Sequence, residues 1–318
     1  MSKYSIALPQ TSGGLFLTDG GIETVLIFQE GLDLPYFAAF TLIETQEGRE
    51  TLRRYFGRYA SLAVEGGHGF ILESPTWRAS ADWGDKLGYD ATAMTRVNRD
   101  AIHLMRELRE THETPAAPFV VSGCVGPRGD GYDPGEIMSV AEARAYHSAQ
   151  IRAFAEAGAD MVTAITMTNV PEATGIALAA RDAGVACVIS FTTETDGKLP
   201  SGEDVGAAIR AADTATGAFP AYYMINCAHP THFEDAVRRG EGWIERLRGV
   251  RANASTKSHA ELDDSETLDE GDPHDLARRF NDLRKVMPNL NVLGGCCGTD
   301  HRHIAAIRDA CTQSRAVA

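Results

Sequence analysis

The chain has no apolar run approaching the ~20 residues that span a bilayer. Its N-terminus, MSKYSIALPQTSGG, lacks the basic start and apolar core of a secretory leader, so none is expected. The turn after the first candidate strand reads DGGIET, with no G-x-G-x-x-G and no G-x-x-x-x-G-K. The dinucleotide and P-loop sites of open doubly wound sheets are therefore not expected. Basic residues are in deficit, 30 against 44 acidic, for a formal net charge of −14. Such a surface repels a phosphate backbone, which argues against a nucleic-acid partner. Much of the acid excess sits in ELDDSETLDEGDPHD, residues 261–275, and reads as a solvated surface loop. Linkers, low-complexity tracts and strong internal repeats are also missing. These absences leave a cytoplasmic protein with no membrane association as the expectation. In that compartment thiols stay reduced, so each cysteine is a packing residue, a catalytic thiol or a metal ligand.

What is present is an alternation. Short β-rich runs end in Gly, Asn or Thr, and an amphipathic helical stretch follows each. The spacing predicts strands at 15–19, 69–73, 119–123, 161–166, 186–191, 222–226, 249–253 and 291–295. Helices are predicted at 44–65, 91–113, 140–156, 171–182, 204–214, 230–239, 273–286 and 300–310. Pro171 and Pro230 suit first helical turns, Asp300 suits a helix cap, and Gly158 and Gly184 suit helix ends. Eight strand-then-helix units imply parallel strands with helical crossovers, and eight is the number that closes a barrel. A chain of 318 residues, 43% apolar and 23% charged, has the size for one such fold. The fold expected is an α/β protein, a single-domain (β/α)8 TIM barrel over residues 1–318.

Barrel enzymes place their chemistry at the C-terminal ends of the strands. The residues ending the predicted strands include Asp19, Glu73, Cys124, Thr166, Thr192, Cys227, Asn253, Cys296 and Cys297. Cys227 ends the sixth strand in MINCAH, and Cys296 and Cys297 end the eighth in GGCCGTD. Strands six and eight are near neighbours around a barrel mouth, so the three sulfurs can converge. Converging thiolates repel unless a cation sits among them, and Zn2+ suits soft sulfur and four-coordination. Three protein ligands leave one position open, the pattern of a catalytic zinc. Adjacent strand side chains point to opposite faces, so the pair must leave strand geometry; Gly294, Gly295 and Gly298 make that possible. Cys187 and Cys311 read as packing residues, and Cys124 as packing or pocket wall.

The GGCCGT run closely resembles the signature of the homocysteine S-methyltransferase family. TDGGIETVL, SGCVGPRGDGY, SFTTETDGKLPSG and INCAHPTHFEDAV are similar to its first, third, fifth and sixth strand regions, so the likeness covers nearly the whole chain. The resemblance implies a barrel with zinc on Cys227, Cys296 and Cys297, and homocysteine sulfur as fourth ligand. Coordination lowers the thiol pKa, and the resulting thiolate attacks an activated methyl group. Asp19 matches a family position facing the substrate amine, and Gly20 and Gly21 offer backbone N–H groups to its carboxylate. Glu73, Thr166 and Asn226 complete the expected substrate contacts. One departure stands out. The family often carries a Glu in a run like FETIPN, and here AITMTNVPEA puts Ile165 at that place. Glu73 and Glu194 are the carboxylates that could replace it.

The reading is thus a zinc-dependent methyltransferase moving a methyl group from a small sulfonium or betaine-like donor to a thiol, homocysteine giving methionine. A chain this long has no room for the extra domains of corrinoid- or folate-dependent relatives. One alternative is a zinc hydrolase or lyase using a metal-bound hydroxide, although three thiolates make zinc a poor Lewis acid. The other is a non-catalytic thiol- or metal-binding homologue, supported only by Ile165. Trp77 and Trp83 could wall a cationic donor. His229, His232, His301 and His303 read as caps, surface residues or supports of the ligand loops. The sequence says nothing of the oligomeric state.

Overall fold

A computed structural model describes residues 2–5, 7–239, 241–263 and 267–313. Eight parallel strands close on themselves in sequence order, β1 (Phe16–Leu17), β2 (Gly69–Glu73), β3 (Phe119–Val125), β4 (Met161–Met167), β5 (Ala186–Thr192), β6 (Tyr222–Asn226), β7 (Leu247–Ala252) and β8 (Val292–Gly295). Closure is made by β8 against β1, with Phe16 beside Val292 and Leu17 beside Leu293. The helices are α1 (Gln46–Gly66), α2 (Ala81–Lys86), α3 (Ala91–His112), α4 (Val140–Ala157), α5 (Val170–Ala183), α6 (Val205–Thr216), α7 (Pro230–Arg238), α8 (His259–Asp263), α9 (Pro273–Val286) and α10 (His301–Gln313). This is the (β/α)8 barrel expected from the alternation.

Local signals explain the boundaries. Ser139 and Glu142 form a reciprocal capping box at the start of α4. Asn169 caps α5 by accepting from the Glu172 N–H, with Pro171 in the first turn. Gly158 and Gly184, both at positive φ, terminate α4 and α5. The Asp300 carboxylate accepts from the Arg302 N–H at the head of α10. Between strands and helices lies a continuous apolar layer, including Phe70, Phe119, Phe154, Phe191, Tyr223 and Phe280. Inside the barrel Phe16, Ile71, Val120, Met161, Val188, Tyr222, Met224 and Val292 fill the lower part, which is why the opening is confined to the strand ends above.

One segment lies outside the sequence reading and one departs from it. Residues 24–44, between β1 and α1, hold a π-helical turn (Thr24–Gln29) and short helical turns at Pro35–Phe37 and Ala39–Glu44. The acidic run 261–275 is not simply a solvated loop. Leu262, Thr267, Leu268 and Asp269 line the cavity over the barrel. Its two leucines face the apolar wall while Glu261 stays exposed. Residues 264–266 of that run lie outside the described residues.

Candidate metal centre and active-site cavity

Cys227 follows β6 with φ 56°, in the left-handed region that non-glycine residues rarely occupy. That turn aims its side chain across the mouth, and the Cys227 N–H donates to the Arg251 carbonyl. Cys296 leaves β8 with its N–H on the Ala252 carbonyl, and the Cys297 N–H reaches the Asn253 side chain at 3.1 Å. Space makes Gly295 obligatory: an added Cβ would sit 2.0 Å from Thr299 Oγ1. The result is convergence. Cys227 Sγ lies 3.2 Å from Cys296 Sγ and 3.4 Å from Cys297 Sγ. All three sulfurs lie within 4.8 Å of one another.

Sulfurs on a tetrahedral zinc with ~2.3 Å bonds stand about 3.8 Å apart, so small outward shifts of these side chains admit the ion. Their electrostatics fit. Hydrogen bonds from Cys227 and Cys297, aided by Arg251, hold the Cys296 thiol well below its usual range. Hydrogen bonding to Cys296 and then Cys297, with burial, pushes Cys227 well above it. Three crowded thiols resist ionising together without a cation; a divalent ion would let all three ionise.

Above them opens a cavity of about 390 Å³. Asp19, Gly20, Gly21, Glu73, Cys124, Ile165 and Thr166 line it together with the cysteines. Asp19 is already engaged: Oδ1 accepts from Arg251 Nη2 at 2.7 Å and Oδ2 from the Tyr55 hydroxyl at 2.9 Å. Burial works against the Arg251 cation, but Asp19 and Glu73 hold it above its ordinary value. The Gly21 N–H donates to the Thr299 carbonyl. Glu73 is different. It is buried, the nearby Thr163 and Ser122 hydroxyls favour its charged form, and Oε2 has no partner among the described residues. Burial pushes its pKa up to about 7, with Arg251 pulling the other way.

Asn226 does not line the cavity. Its Oδ1 accepts from the Thr166 N–H at 2.9 Å and the Ser190 hydroxyl at 2.6 Å, and its amide donates to Thr166 Oγ1 at 2.9 Å. It ties β4, β5 and β6 together directly before Cys227. Thr166, at φ 63°, sits in a bulge of β4 beside Ile165. Glu194 is not among the lining residues; its N–H closes a turn onto Lys198. Cys187 and Cys311 are packed in the core, and Cys124 is a buried wall residue. His229 caps α7, and His303 is buried against Asp300 and the Glu270 carbonyl. His232 bonds the Thr256 carbonyl, and His301 is exposed at the head of α10.

Several cavity residues escaped the sequence reading. Tyr132 puts its hydroxyl 3.0 Å from Cys227 Sγ and 3.5 Å from Cys297 Sγ, and its ring stacks on His259. The glycine-rich GDGY run was its one signal. Arg251 was signalled by a charge near the carboxyl end of a strand, although β7 carries Arg248 as well. Glu23, pushed up to about 7 by burial, and Arg78 also line the wall. Trp77 and Trp83 each give a face to the Arg78 guanidinium, Lys86 lies over Trp83 as well, and Trp77 still lines the cavity. Phe28 and Phe37, each more than half exposed, rim the opening.

A parallel eight-stranded barrel carrying three converged thiols at its carboxyl end defines a class, barrel enzymes built around a thiolate-bound metal. The family model described as homocysteine S-methyltransferase matches residues 16–311. The chain belongs to that family and is a methyltransferase. A selenocysteine Se-methyltransferase of Brassica oleracea var. italica is 23% identical over 98% of this chain and 92% of its own length. Homocysteine S-methyltransferase 1 of Arabidopsis thaliana is 22% identical over 93% of each chain. Among solved structures, the metallated form of the Escherichia coli homocysteine methyltransferase MmuM superposes with a TM-score of 0.72 at 20% identity, covering 93% of this chain and 96% of that one. That likeness speaks to the fold.

Proposed function

We propose that Cys227, Cys296 and Cys297 hold one zinc ion, and that the chain uses it to methylate a thiol, homocysteine, from a small sulfonium or betaine-like donor. The observation that carries this reading is the meeting of three sulfurs from β6 and β8 beneath an open cavity. Zinc there supplies a nucleophile already in the thiolate form at neutral pH. The chain's own residues position and shelter it. Asn226 holds the strand that delivers Cys227, and Asn253 holds the Cys297 backbone. Ile22, Trp77, Leu262 and Leu268 give the cavity apolar walls that exclude water.

The acceptor's ammonium group needs an anion. Asp19 is neutralised by Arg251 and Ile165 offers no charge; of the wall carboxylates Glu23 and Glu73, Glu73 has the buried oxygen without a partner and takes that part in this reading. Asp19, Gly20, Gly21 and Thr166 shape the wall around it. The plant relatives named above act on homocysteine and selenocysteine, both amino acids with a soft nucleophile, which favours an acceptor of that kind. Small molecules are the partners, and a reducing cytoplasm is the setting. The described residues contain no helix long and apolar enough to cross a membrane.

Metal analysis of protein purified under reducing conditions tests the reading. Near-stoichiometric zinc is expected, dropping sharply in Cys296→Ala and staying in Cys187→Ala. Methyl transfer to a panel of thiols then addresses the acceptor. Zinc retained by Cys296→Ala, or no transfer to any thiol from any sulfonium or betaine donor, ends the proposal.

A further inference from the structure

The loop after β2 carries a cation into the same cavity that methyl transfer to a zinc-bound thiol leaves unused. Arg78 is only 5% exposed. Its guanidinium carbon lies 4.0 Å from the Trp77 ring centroid and 3.9 Å from that of Trp83. The indole faces attract the cation but accept no in-plane hydrogen bond. They clamp the guanidinium plane and leave its N–H edge as the part that can bond. That edge is poorly satisfied. Nη1 donates to the Gly129 carbonyl at 2.8 Å, and Nε is buried with no partner among the described residues. The Asp130 carboxylate stands 3.8 Å from Nη2, beyond hydrogen-bond reach, and is 55% exposed.

A guanidinium offers five N–H donors, and a buried cation with one hydrogen-bonded acceptor and one exposed carboxylate at 3.8 Å is costly to keep. Burial accordingly pulls its pKa down to about 10 despite Asp130 and Glu23. The other cavity carboxylates do not close the account. Asp19 is bound to Arg251, and no hydrogen bond links Glu23 or Glu73 to Arg78 among the described residues. Arg78 shares its cavity with the sulfurs. Gly129 and Asp130 face Arg78, and Tyr132, two residues further on, touches Cys227 and Cys297.

We infer that Arg78 is an anion-binding group of the active site, held by its two tryptophans to receive the carboxylate of a substrate. The identity of that substrate rests on the methyl-transfer reading; the carboxylate pocket itself does not. Either the acceptor thiol or the methyl donor can bring the carboxylate, and the chemistry of recognition is the same, a fork of N–H donors on a planar anion.

Calorimetric titration of the zinc-loaded protein with two matched pairs separates the sources. The thiol pair is mercaptobutyrate and mercaptobutyramide, which lack an amine and so bypass Glu73. The sulfonium pair is dimethylsulfoniopropionate and its amide. In the wild type the carboxylate member of one pair is expected to bind about 10- to 100-fold tighter than its amide, the range for hydrogen bonds to a charged group. The pair that shows it names the source. In Arg78→Met, whose stem still fills the space between the indoles, that preference falls to within about threefold, while the amide binds as before. Arg78→Lys keeps the charge without the fork, so an intermediate preference is expected, and it serves if Arg78→Met fails to fold. A staple that merely orders the loop would weaken acid and amide alike. No carboxylate preference in either pair, or one that survives in Arg78→Met, overturns the inference. Zinc content measured on the same samples shows separately whether the sulfur site is intact.

Discussion

Replacing Glu73 by Gln sets stability against function, with opposite signs. Glu73 is buried, and its pKa stands at about 7 against an ordinary 4.5. A carboxyl held above its unfolded value keeps a proton that the unfolded chain has released. Below the unfolded pKa both states are protonated and there is no penalty; the penalty grows between the two values and is constant above the folded one. At about 1.36 kcal/mol per unit, the full cost near pH 8 is about 3 kcal/mol. Glu73→Gln removes it. The amide brings its own unsatisfied group, worth about 1 kcal/mol at any pH. The quantity to measure is therefore the change in gain, about 2 to 3 kcal/mol between pH 5 and pH 8. Urea unfolding of both proteins at the two pH values measures this directly. If Glu73 also receives the acceptor's ammonium group, the same variant loses about tenfold in homocysteine affinity and nothing in mercaptobutyrate affinity. A stability gain that is equal at both pH values, or larger at acid pH, refutes the buried carboxyl argument. Unchanged homocysteine affinity refutes the ammonium role.

Asn226→Ala strips the link among β4, β5 and β6 and strands the buried Thr166 N–H, at a cost of about 2–4 kcal/mol. Urea titration reads that cost, and chelator competition should show zinc released more readily because Cys227 loses its footing. Arg251→Met leaves Asp19 buried without its cation and costs about 3–5 kcal/mol. Adding Asp19→Asn should recover most of that loss, and a double-mutant cycle in urea measures the coupling; additivity would sink the ion-pair account. Gly295→Ala forces a Cβ to 2.0 Å from Thr299 Oγ1. Cys296 must then move, so zinc stoichiometry falls in metal analysis; normal zinc would show that the turn tolerates the shift.

The strands were legible where punctuation and apolar content agreed. The runs 69–73 and 222–226 appear with their expected bounds because each is an apolar stretch that enters after a turn and ends in a polar residue. The helix Pro273–Val286 does too, opened by Asp272 and proline. Legibility failed where distant partners decide the outcome. The segment 24–44 follows no helix or strand period, and its turns depend on Tyr36 and Phe37 at positive φ. The run 261–275 reads as solvated because acids outnumber its leucines, yet Leu262 and Leu268 reach the cavity. Asp19 could be placed at the mouth, but not its engagement with an arginine 232 positions away. Tyr132 is carried by a loop whose course no local pattern specifies.

The charges of the cavity form one rearrangement rather than separate oddities. Family resemblance leads one to expect a carboxylate at the Ile165 position and another at Asp19. The first is absent, and a carboxylate alone on β1 would be a buried charge; Arg251 from β7 removes that cost by closing on it at 2.7 Å. In the proposed reading the anionic partner for an amine then comes from another strand, as Glu73 at the end of β2, with one oxygen free. The same β2 loop supplies Arg78, the complementary pole for a carboxylate. A zwitterionic amino acid needs both signs, and the two proposals together draw both from the end of a single strand. The barrel permits this because its strand ends share one mouth, so recognition can migrate among loops while the sulfur site on β6 and β8 stays in place.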